Sequence, residues 1–116
     1  DRYCKIPLGN IDIESGENLQ VDLQIQKNQA ITSGRRPRLV LKGCGFDPAT
    51  DYDEMADVNN SWDTETVSGA ATSKGIVHIY IEVLNDLAGD ITYPTTKPVD
   101  PPTIIIYADG IDATKI

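Results

Sequence analysis

Aromatic residues are scarce in this chain: one Trp, one Phe and five Tyr make up 6% of 116 residues, so its core must be built mainly from Ile, Val and Leu. Such side chains favour strands. Two Cys without a Cys-x-x-Cys spacing and one distant His cannot make a tetrahedral zinc set unless carboxylates join them. Positive charge is short as well. Ten Lys and Arg face eighteen Asp and Glu, and a net charge of −8 repels phosphate backbones and anionic lipid. Nucleic acid and membrane surfaces are therefore not expected partners. No apolar run approaches the roughly 20 residues that span a bilayer as a helix. Because Asp1 opens the chain and its only methionine is Met55, the expectation is an N-terminus cleaved or cut from something longer: a removed leader fits export, and a domain excised from a multidomain protein looks the same.

What the chain does have is alternation. In residues 19–26, Leu19, Val21, Leu23 and Ile25 alternate with Gln20, Asp22, Gln24 and Gln26, the period of a half-buried strand. Residues 76–83 repeat the pattern, with Val77, Ile79, Ile81 and Val83 on one side and His78, Tyr80 and Glu82 on the other. Residues 4–8, 10–14, 38–44, 63–67 and 103–108 are further strand candidates, and Pro7 marks an edge or a strand end. Residues 46–61 have neither period and read as a long loop, and residues 68–75 as a turn of small residues. Residues 85–103, with prolines at 94, 98, 101 and 102, cannot form a central strand and are expected on the surface. Asp109-Gly110 is a hairpin-type turn into residues 111–116. Seven or eight short strands with no helix point to one sandwich domain over residues 1–116.

The order of these pieces resembles the jelly-roll carbohydrate-binding-type modules found beside bacterial glycanases and in large surface or phage structural proteins. The resemblance runs from about Leu19 to Asp109 through LQVDLQIQK, RPRLVLKG, SWDTETVSG, KGIVHIYIEV and TIIIYADGI. It implies an all-β, jelly-roll-like antiparallel β-sandwich. The acidic loop around Asp51 and the Pro-rich excursion exceed that pattern. Sugar-binding members present several aromatics on one sheet, and here only Tyr80 and Tyr107 fall on strand faces, with Trp62 as a third ring that either stacks on sugar or packs in the core.

Other residues have a local and a functional reading side by side. Cys4 and Cys44 are an even pair, expected as one disulfide in an exported chain or else as two buried thiols. Asp51, Asp53 and Asp57 lie in a stretch with enough carboxylate oxygen for Ca²⁺, and the resemblance, with calcium at strand ends, implies the same; a solvated acidic loop is the alternative. Arg35, Arg36 and Arg38 either pair with local acids or meet the acidic loop of another copy. Asn59 begins an Asn-Asn-Ser glycosylation sequon. Residues 1–14, carrying Ile6, Leu8, Ile11 and Ile13, either pair within their own sandwich or add a strand to a neighbouring copy.

No nucleophile or acid is positioned in sequence to work with His78, so catalysis is not expected. The expected function is a non-catalytic structural or adhesive subunit, extracellular or on a cell or virion surface. Its partners would be copies of itself or other surface-assembly proteins, in a filament or array. The alternative is a carbohydrate-binding module that holds polysaccharide.

Overall fold

In β2 (Asn18–Lys27) every second side chain from Leu19 to Ile25 is buried, because successive side chains of a strand point to opposite faces. The same parity in β6 (Gly75–Leu84) buries Val77, Ile79, Ile81 and Val83. These strands belong to different sheets, and their apolar rows form the centre of the core.

The computed structural model describes residues 3–93, 104–108 and 111–112. Strands β1 (Tyr3–Ile13), β6, β3 (Arg38–Lys42) and β4 (Tyr52–Glu54) form a four-stranded sheet in that order. The second sheet runs β5 (Asp63–Ala70), β2, β8 (Ile104–Ala108), β9 (Ile111–Asp112), with β7 (Ile91–Thr92) also against β2. Every pairing is antiparallel. The chain changes sheet between β1 and β2, β2 and β3, β4 and β5, and β5 and β6, which makes the expected all-β sandwich.

The two short N-terminal candidates are one strand of 11 residues. Its register against β6 shifts between Pro7 and Gly9, so Leu8 is the extra residue of a bulge and turns into the core. Pro7 is tolerated because β1 is the sheet's outer strand. This pairing is the within-sandwich alternative for residues 1–14. Leu8 and Ile13 are buried in the chain's own core, and Ile6 and Ile11 pack against it. Residues 46–61, expected as loop, contain β4 and bury Phe46 and Met55. Residues 85–93 form a 3-10 turn (Asn85–Asp90) and β7; the prolines from 94 onward and the Asp109-Gly110 turn lie outside the described residues.

The expected disulfide is not made, and both thiols are free. Cys4 pairs with Val83 at one end of β6, whereas the Cys44 sulfur lies 3.1 Å from where a Cβ on Gly75 would stand, at the other end. Those ends are about 27 Å apart at ~3.4 Å per residue, and a disulfide needs Cα atoms within about 7 Å. Cys44 instead sits in a tight turn closed by Gly43 and Phe46, which exchange two N–H···O bonds of 3.0 Å. Gly43 has φ +110°, and a Cβ there would lie 2.6 Å from the Ile76 carbonyl oxygen, so the turn requires glycine.

Candidate functional site

Residues directly opposite in an antiparallel pair share a face. The register therefore lays three rows across the outer face of the four-stranded sheet: Lys5, Glu82, Arg38 and Glu54; then Pro7, Tyr80, Val40 and Tyr52; then Asn10, His78 and Lys42. Lys5, Pro7, Asn10, Lys42, His78 and Tyr80 line a depression of about 420 Å³ in this face. That is within the usual range for a small-ligand site.

Tyr80 is the floor of the depression. Alternation places it on the outside of the sheet, yet it is only 6% exposed. The Lys5 ammonium stands 5.2 Å from its ring centroid. The Tyr80 hydroxyl is buried and has no hydrogen-bond partner among the described residues. Burial, and then the charge of Glu82, push its pKa up, so it is held as a neutral donor. A buried hydroxyl left unpaired costs about 1–3 kcal/mol. Beside it, His78 Nδ1 lies 2.8 Å from Asn10 Oδ1, which fixes the imidazole plane.

One row along, Arg38 donates from Nε and Nη2 to Glu82 Oε1, at 2.9 and 2.8 Å. Its guanidinium lies 5.3 Å from the Tyr3 ring and 4.8 Å from the Tyr52 ring. Tyr3 and Tyr52 remain about 40% exposed, at 42% and 40%. Two open rings, held by the cation between them, thus stand beside a depression edged by Lys5, Lys42 and His78. Arg38 is paired with Glu82, so Lys5 and Lys42 are the cations that line the depression itself.

The acidic loop does not gather a metal site. Asp51 Oδ2 accepts from the Asp47 amide at 2.7 Å, Asp53 Oδ2 from the Thr66 amide at 2.9 Å, and Asp57 Oδ1 from the Lys27 ammonium at 2.7 Å. These three carboxylates face different partners, and no group of three metal-type ligands forms among the described residues. The expected Ca²⁺ set is therefore corrected. The hydrogen bond from Lys27 holds the Asp57 carboxyl below its ordinary range.

Two charged residues sit at inward positions. Lys27, the fifth inward residue of β2, is fully buried and donates to the Gln29 carbonyl at 3.1 Å, to Asp57 and to Asn59 Oδ1. Glu65, opposite Leu23, is 4% exposed. Burial pushes its pKa up to about 9, helped by a hydrogen bond with Asp63 and by the charges of Asp53 and Asp63.

The remaining predicted residues scatter. Trp62 is 48% exposed just before β5, outside the core and outside the depression's lining. Tyr107 pairs by its backbone with Gln20 and Asp112 in the other sheet, so it does not join Tyr80. Arg36 donates to the Ile31 carbonyl at 2.7 Å and lies 3.9 Å from Asp57, so it meets the acidic loop of its own chain. Arg35 is exposed in the turn before β3. Sequence reasoning missed Lys5, Asn10 and Lys42, although a bulge-free register between the middle strands would have put Lys42 beside His78. Comparison of the chain with family models, curated proteins and solved structures found no match among any of them.

Proposed function

We propose that this domain is a non-catalytic adhesive module of extracellular type that holds acidic polysaccharide on the outer face of its four-stranded sheet. The reading rests on the open Tyr3 and Tyr52 rings on the same face as a depression lined by Lys5, Lys42 and Tyr80. A sugar ring offers what this face can use. Its apolar face stacks on Tyr3 or Tyr52, and a uronate carboxylate neutralises Lys5 or Lys42. A neutral sugar would satisfy the rings and leave both ammonium groups without compensation.

Affinity electrophoresis through gels containing polygalacturonate or dextran tests this. Retardation is expected in polygalacturonate, weaker or absent in dextran, and reduced about tenfold or more in Lys5→Ala and Lys42→Ala if each loses a charge-assisted hydrogen bond. Both lysines are exposed, so the variants keep the fold. Equal mobility with and without polysaccharide would refute the proposal.

A second reading, self-association, is favoured by β1. It is longer than the usual five or six residues and stands at the sheet margin. Strand addition along that edge would build a propagating contact between copies. Sedimentation velocity over a wide concentration range separates the two, since a species that stays monomeric rules out assembly by this chain alone.

A further inference from the structure

Lys27 is the residue that the polysaccharide reading leaves unused. Its side chain has no exposed surface, whereas Asp57, which it meets at 2.7 Å, is 46% exposed. Its three N–H groups go to the Gln29 carbonyl, Asp57 Oδ1 and Asn59 Oδ1. The Asn60 amide also donates to the Lys27 carbonyl, at 2.8 Å, so main chain and side chain both hold the loop against the end of β2. This places an amine nitrogen against a carboxamide, with a carboxylate within reach of the proton that must move. The hydrogen bond to Oδ1 leaves the electrophilic carbon Cγ one covalent bond beyond the atom that the nitrogen touches. A nucleophile held at its electrophile gains the large effective concentration of an intramolecular reaction.

We propose that Lys27 and Asn59 become joined by an intramolecular amide bond, with Asp57 carrying the proton. The Lys27 ammonium gives a proton to Asp57, and the neutral amine adds to Asn59 Cγ, forming the Nζ–Cγ bond as the carbonyl electrons move to Oδ1. Asp57 passes its proton to Nδ2. The carbonyl re-forms, the Cγ–Nδ2 bond breaks, and ammonia leaves. Nζ then loses one proton to the ammonia, so an ammonium ion and a neutral secondary amide are the products. Atoms and charge balance without oxidant or outside reactant. Asn59 lies at the surface, so the leaving group has a direct path to solvent. The product also removes a buried charge, which is costly to keep even when paired. The bond ties β2 to the loop that leads into β5, a crosslink between distant parts of the chain in a fold without a disulfide among the described residues. It consumes the same nitrogen that a glycan on the Asn59 sequon would need, so the two modifications exclude each other.

Mass spectrometry of the intact, denatured protein tests this. The expected mass is that of the sequence less one ammonia, and proteolysis should yield a branched peptide joining Lys27 to Asn59. The branched peptide is decisive, because a cyclised Asn also loses ammonia without linking anything. Lys27→Arg and Asn59→Ala should restore the full mass. Asp57→Ala should restore it while keeping both reacting residues, and circular dichroism checks that this variant is folded; Asp57→Asn serves if it is not. A folded wild-type protein of full sequence mass, with residues 27 and 59 on separate peptides, would leave only an ion pair and overturn the proposal. So would a glycan on Asn59. A crosslink that persists in folded Asp57 variants would overturn the role given to Asp57.

Discussion

Replacing Glu65 with Gln should make the protein more stable at neutral pH, although the residue is buried and hydrogen bonded. An unfolded Glu titrates near 4.5, and the buried one is pushed up to about 9. Between those values the native state holds a proton that the unfolded state has released, so stability is fully present below 4.5 and falls as pH rises towards 9. At about 1.4 kcal/mol per pH unit, the loss between the unfolded value and pH 7 is about 3 kcal/mol. Gln keeps the shape and offers an N–H to Asp63, yet has no proton to lose. Urea denaturation at a series of pH values should show the wild type declining from pH 5 to pH 8 and Glu65→Gln nearly flat. The curves should meet near pH 4 and differ by about 3 kcal/mol at pH 7. Asp57 works in the opposite direction and in another range. Its pKa is lowered from 3.8, so its contribution is present above that value and lost below it, outside the window measured. Parallel wild-type and variant profiles across pH 5–8 would refute the argument.

Three further outcomes follow from the geometry. Thiol titration of the unfolded, unreduced protein should find both Cys4 and Cys44 reactive, since they lie at opposite ends of β6; an absence of free thiol would contradict the strand register. Gly43→Ala should destabilise by more than about 1 kcal/mol, through both its φ of +110° and the collision with the Ile76 carbonyl, and an unchanged denaturation midpoint would show that the turn can relax. Tyr80→Phe should leave stability unchanged or raise it by about 1 kcal/mol, because it removes a buried hydroxyl without a partner; a clear loss of stability would mean that the hydroxyl is bonded after all.

Alternation made the sheets legible. The inward rows of β2 and β6 could be read residue by residue, because aliphatic and polar side chains take turns over eight positions. The same reading stops at charged residues of inward parity. Lys27 continues the row of Leu19 to Ile25, and Glu65 faces Leu23, but a pattern scored by hydropathy counts both as solvent positions. Strand β4, with three residues, is too short to show any period inside an acidic segment. The candidate site was half legible. Tyr80 was singled out by its strand, but its burial depends on Lys5 and Pro7 brought across by β1, and on a bulge that no local pattern announces. The disulfide and calcium expectations came from composition and compartment, and the register of β6 and the separate partners of Asp51, Asp53 and Asp57 override them.

The claim that the outer face of the four-stranded sheet binds acidic polysaccharide is tested most directly by backbone amide shifts of isotopically labelled protein titrated with oligogalacturonate. Saturable changes should centre on Lys5, Asn10, Lys42, His78 and Tyr80, weaken in Lys5→Ala and Lys42→Ala, and be much smaller with a neutral oligosaccharide of the same length. Shifts confined to another face, or none at millimolar oligogalacturonate, would contradict it.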